Sequence, residues 1–235
     1  MALINLQAAL YFQPKPANAD LLARVGAAIP ALNERLRINL RALDDTAARI
    51  LGGAEELFEE SGNQFFLLYD EEKCFYGTNE WTLYVSFLDD YENATAVHVN
   101  PELPEPTEEL TGFVWSRLLG IVKELIIQTE PSVAQINGLD EEEGGQIVSP
   151  RTLRAGALPE FFTPYTYLDQ SLLDPSAARK IEDAGAYSVE RLASGWSIQF
   201  VENFNVEPPS RLIKTLRELN KARKPVYKQT PMTDD

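Results

Sequence analysis

The sequence predicts an α+β fold, a mostly antiparallel sheet packed with amphipathic helices in a single domain. Three observations lead there. Strand-like segments come in adjoining pairs about short turns, Glu80–Leu88 with Ala94–Val99 and Tyr187–Leu192 with Trp196–Val201, as antiparallel neighbours do. Segments of helical period separate these pairs and close the chain. No internal repeat or linker divides the 235 residues, so one domain is expected over residues 1–225, with 226–235 a loose tail.

In chain order, Leu3–Phe12 reads as an opening strand, closed by Pro14 and Pro16. Asp20 then caps a helix in which Leu21, Leu22, Val25, Ala28, Ile29, Leu32 and Leu36 recur at helical spacing. Pro30 lies inside that pattern and predicts a kink or break, because proline removes a backbone donor. Asp44 or Asp45 caps a short helix through Leu51, ended by Gly52-Gly53.

Gln64–Tyr69 is a short apolar run between turn residues, a buried strand. In Glu80–Leu88 the residues Trp81, Leu83, Val85 and Phe87 alternate with Thr82, Tyr84, Ser86 and Leu88, mostly apolar on both faces, as in a central strand. Asp89–Asn93 makes the turn to Ala94–Val99, and Pro101, Pro104 and Pro106 hold an extended connection. Thr111–Thr129 is a helix with Phe113, Leu118, Ile121, Leu125 and Ile126 on a broad apolar face, stopped by Pro131.

Gly138–Gly145 holds four consecutive acids between glycines, an exposed loop. Arg151–Leu168 is rich in proline and aromatics and reads as irregular, tacked to the core by Phe161, Phe162, Tyr165 and Tyr167. Asp174-Pro175 is an N-cap followed by proline at the first helical position, and Gly185 closes that helix. The hairpin about Ala193–Gly195 sets Trp196, Ile198 and Phe200 on one face. Ser210–Arg223 is the last helix, with an apolar stripe of Leu212, Ile213, Leu216 and Leu219 and bases at its carboxyl end.

Charge is distributed unevenly over this framework. Residues 51–150 contain 21 Asp and Glu against three Lys and Arg, a net −18, whereas the whole chain is −15. Such a balance disfavours nucleic acid and anionic membrane surfaces as partners and leaves a cationic protein, or no charged partner at all with the charge serving solubility. No apolar run reaches membrane-spanning length, the start lacks the pattern of a signal peptide, and Cys74 is alone. A cytoplasmic protein is the expectation.

The residues that carry chemistry elsewhere are sparse. His98 is the only histidine and falls in a strand, where a structural or surface role is expected. Cys74 sits among Glu71, Glu72 and Phe75, and the acids oppose a thiolate. One histidine and one cysteine cannot assemble a typical zinc cage, and Asp140–Glu143 lacks the alternation of a calcium loop. No nucleophile elbow, phosphate-cradling loop or dinucleotide fingerprint occurs. The reading is therefore a non-enzyme without cofactor or metal. Its partner-binding candidates are Asp140, Glu141, Glu142 and Glu143, framed by glycines, together with Asp89, Asp90 and Glu92 in a turn.

The stretch Ala186–Val201, then Phe204 and the Leu212–Leu219 helix, resembles the closing strand, glycine turn, strand and helix of bacterial polymorphic-toxin immunity proteins, nearest the immunity protein 52 family. The opening Ile4–Phe12 strand and its helix fit the same layout. The resemblance covers about the first forty and last fifty residues and rests on hydrophobic spacing. It implies a cytoplasmic antidote, associated with contact-dependent or type VI secretion, that binds and neutralises one cognate toxin. No site residue transfers with it. The acidic middle would then face a basic toxin, a nuclease being one candidate. An acidic adaptor or chaperone for a secreted effector is the alternative, and an unrecognised hydrolase the third.

Overall fold

Antiparallel pairing organises the chain from its first strand. The computed structural model describes residues 5–14, 16–36, 40–42, 65–70, 80–86, 95–102, 108–139, 163–202 and 209–223. In order these form β1 (Asn5–Tyr11), α1 (Asn18–Leu36), β2 (Leu40–Ala42), β3 (Phe65–Asp70), β4 (Glu80–Ser86), β5 (Ala96–Glu102) and α2 (Glu108–Thr129). Then follow β6 (Val133–Leu139), β7 (Tyr165–Asp169), α3 (Pro175–Asp183), β8 (Ser188–Leu192), β9 (Gly195–Gln199) and α4 (Ser210–Arg223). The strands make one nine-stranded sheet in the order β2-β3-β4-β5-β1-β6-β7-β9-β8, so β1 lies at its centre. Every adjacent pair is antiparallel.

Alternation along β1 assigns the two faces. Leu6, Ala8 and Leu10 join a core with α1 and α2, whereas Ala9 and Tyr11 join a second core with α3 and α4. The same parity continues across the sheet. Leu83, Val85, Val97, Val99, Ala134, Ile136, Tyr165 and Tyr167 face the first pair of helices, and Ala96, Val133, Leu168, Ile198 and Phe200 the second. The sheet is thus sandwiched between two helical layers, and its middle strands are apolar on both sides.

α1 starts two residues before the expected Asp20 cap, which leaves that acid in the first turn near the positive end of the helix. It runs on through Pro30 without a break. Pro30 is exposed while Ala28, Ile29 and Leu32 beside it are buried, so packing holds the helix across the missing donor. α2 lies along α1, and its Glu124 is the polar tie between them. That carboxylate is 8% exposed and accepts from Arg35 and, at 3.2 Å, from the Gln128 amide. Arg24 also reaches the carbonyl of Thr129, the last residue of α2, at 3.3 Å.

Three strands depart from the sequence reading. β6 was hidden by Gln135, Asn137 and Gly138 in a segment that is buried on both faces. β7 is a strand where irregular chain was expected, because Tyr165 and Tyr167 are core residues on one face and Thr166 and Leu168 are buried on the other. β2 has three residues, too few to show a period. Pro101 also belongs to β5, opposite Trp81, instead of to the connection that follows. The expected helix after Asp44 and the tail at 226–235 lie outside the described residues.

The C-terminal caps agree with the reading. The Asp174 side chain accepts from the Ala177 N–H at 2.9 Å with Pro175 next in line, and Gly185 takes a φ of 101°. Gly195 is needed for a different reason. A Cβ there would stand 2.2 Å from the Leu168 carbonyl oxygen and 2.8 Å from the Tyr167 ring, where β9 crosses β7. Gly195→Ala is therefore expected to lower stability by about 3 kcal/mol or more, since backbone atoms cannot yield as a flexible side chain does. A urea midpoint equal to wild type would refute that packing.

Candidate functional site

The strand ends define two rims of the sheet. At one rim stand Asp70, the last residue of β3, Glu80, the first of β4, Glu102, the last of β5, and Leu139, the last of β6. Register places Glu80 directly opposite Glu102, and Asn5 opposite Leu139. α2 ends at Thr129, close in sequence to the opposite end of β6, so its first turn, with Glu108 and Glu109, lies toward this rim as well.

All seven sequence-predicted partner residues, Asp89, Asp90, Glu92 and Asp140, Glu141, Glu142, Glu143, lie outside the described residues, as does Cys74. Among the described residues, Leu139 ends β6 at the Glu80–Glu102 rim, and Ser86 and Ala96 are a register pair at the other rim. Sequence reading missed Glu80 and Glu102 as a pair. Nothing in composition says that residues 22 apart will be neighbours; only the β4–β5 register does.

Two further polar groups interrupt the apolar sheet. On the α3/α4 face, His98 of β5 and Gln135 of β6 flank Ala9 of β1 in one cross-strand row, and Thr166 of β7 continues it. Burial lowers the His98 pKa to about 4, so the imidazole is neutral at pH 7. On the opposite face, near the β8–β9 turn, Ser194 Oγ donates to Asp169 at 2.7 Å and lies 3.2 Å from the Tyr167 hydroxyl. Since the serine proton is given to the carboxylate, Tyr167 must donate to Ser194.

Burial pushes the Asp169 carboxyl up, but hydrogen bonds from the Ser171 N–H and the Ser194 hydroxyl outweigh it and hold the pKa below its ordinary value. A carboxylate so held is a poor base, and this trio ties the turn to β7 without activating the serine. Among the described residues, no group of three or more His, Cys, Asp or Glu side chains is placed to hold a metal ion. No helix is long and apolar enough to cross a membrane among them.

No family model matches the chain, which leaves the likeness to the immunity protein 52 family resting on the hydrophobic spacing of its opening and closing segments. No curated protein matches it either. Among solved structures it is similar to a Pseudomonas aeruginosa protein described as a T6SS protein, at 14% identity and a TM-score of 0.46. That likeness covers 94% of this chain and 73% of the other.

The buried imidazole generates a pH test. His98 binds its proton less readily folded, at about 4, than unfolded, at about 6.5. Its contribution is thus fully present above pH 6.5 and lost as the pH falls toward 4. The loss amounts to roughly 3 kcal/mol. Urea midpoints of wild type and His98→Gln should converge by that amount between pH 7 and 4, and parallel profiles would contradict the burial.

Proposed function

We propose that this chain is a non-catalytic immunity protein that binds and neutralises a cognate basic toxin through the acidic rim of its sheet. One observation carries the reading. Glu80 and Glu102 occupy directly opposite register positions at the rim where the chain runs on into Asp140–Glu143. Like charges at such positions lower stability, and a net −18 over residues 51–150 adds self-repulsion that solubility alone does not require. A cationic partner relieves both. Steering of this kind raises association rates and rejects partners of the wrong sign.

The resemblance of the opening and closing segments to polymorphic-toxin immunity proteins supports the same class. It suggests a bacterial toxin as the cation, with a nuclease as one candidate because its cleft must accommodate phosphate. The charge also predicts where binding acts. Rim acids are expected to govern the association rate and its salt dependence.

The test is co-purification with the product of the adjacent gene, at low and high salt. A one-to-one complex is expected, and reversing Asp140–Glu143 to lysine should weaken it at least tenfold, about 1.4 kcal/mol. Reversing Asp89, Asp90 and Glu92 should have a smaller effect. A complex indifferent to the Asp140–Glu143 reversal removes the acidic rim from the reading, and no complex at all overturns it.

A further inference from the structure

β8 is the last strand of the sheet, and among the described residues no strand pairs with its outer edge. A two-residue turn joins it to β9, so Leu192 and Gly195 close the hairpin as a hydrogen-bonded pair. Ladder bonds alternate from there. Leu192, Glu190 and Ser188 bond inward to β9, which turns the N–H and C=O groups of Arg191 and Val189 outward. Tyr187, one residue before the strand, continues that outward series.

Exposed edges are commonly guarded by charges, a bulge or a proline. β8 has neither proline nor bulge, and both of its charges are engaged on its own chain. Glu190 meets Lys123 of α2 at 3.4 Å. Arg191 stacks over the Trp196 ring at 4.9 Å and reaches Gln170 at 3.5 Å. Tyr187 is 58% exposed, more than any other large apolar side chain among the described residues.

We propose that β8 pairs with β8 of a second copy, antiparallel about a two-fold axis, so that the two sheets run on as one. Opposite residues of such a pair share a face and faces alternate along a strand, so the axis must pass through a residue. Through Glu190 it would set two carboxylates opposite each other, and through Arg191 two guanidiniums, both unfavourable. Through Val189 it sets valine against valine, Tyr187 against Arg191 and Ser188 against Glu190. In this register each Arg191 lies between its own Trp196 and Tyr187 of the second copy. The outward groups of residues 187, 189 and 191 then meet in about six backbone hydrogen bonds, two for each facing pair.

The acidic segment does not oppose this contact. Its strands β5, β4 and β3 stand five, six and seven positions from β8 in the sheet. At about 4.8 Å per strand they lie more than ~20 Å from the axis, against a Debye length of about 10 Å at 0.1 M salt. Residues 151–235, which supply β7, β8, β9, α3 and α4, carry 11 acids and 12 bases. The contact is isologous, so it closes at two copies. It does not depend on the toxin reading.

Sedimentation velocity of the full chain tests the proposal, with a dimer and no larger species expected as concentration rises. Backbone bonds carry the contact, so the dimer should persist at about 1 M salt, where surface charges are screened. Val189→Pro removes an outward N–H without breaking a bond to β9, and should weaken dimerisation at least about tenfold. Tyr187→Ala, at an exposed position, should weaken it about fivefold and leave the monomer's urea midpoint unchanged. In a Cys74→Ser background, Val189→Cys sets two thiols on the axis, where facing Cα atoms about 5.5 Å apart allow a disulfide. An added thiol oxidant should then link the dimer covalently, whereas Glu190→Cys, which the register leaves out of line with its copy, should not link.

A wild-type chain that stays monomeric at every concentration overturns the proposal. So does a dimer that Val189→Pro and Tyr187→Ala leave equally tight, or one that links faster through residue 190 than through 189. Exchange protection of the Val189 and Arg191 amides that arises only when another protein is bound overturns it as well, because the edge then serves a foreign strand.

Discussion

The burial of β1 on both faces is the constraint on which the rest depends. A strand with Leu6, Ala8 and Leu10 on one side and Ala9 and Tyr11 on the other cannot sit at an edge or against solvent. It needs a neighbour on each flank, supplied by β5 and β6, and a helical layer over each face. The connections then follow. The chain leaves β1 for α1 on the first face, completes β2–β5 on one flank, crosses by α2, and builds β6–β9 on the other. Small residues at Ala8 and Ala9 let the helices of both layers approach the centre of the sheet.

Much of this was legible in the sequence where one periodicity dominated. α4 was read to its last residue, because Pro208-Pro209 and a polar flank bound its apolar stripe. The Asp174 cap and the Gly185 stop were legible for the same reason: each residue has a local backbone duty that tertiary packing does not overrule. β6 and β7 failed because strands buried on both sides lose the alternation that announces them. Tyr165 and Tyr167 are part of the core itself rather than aromatic pegs under a loop.

The candidate site was legible only as charge, not as place. A count of acids over residues 51–150 finds the imbalance but cannot say which acids become neighbours. Pairing does that work. It puts Glu80 opposite Glu102 at one end of the β4–β5 pair and Ser86 opposite Ala96 at the other.

The cost of such an arrangement argues about its use. A local net charge of −18 opposes folding, and apolar burial in two cores offsets it. Where the chain does bury a carboxylate, at Glu124, it supplies Arg35 and Gln128. Where it places bases in quantity, on α4, they face outward with Glu218 the one acid of the helix among them. Opposite charges kept apart within one molecule gain nothing for its own stability. The stability of the fold therefore rests on the two apolar cores rather than on these charges.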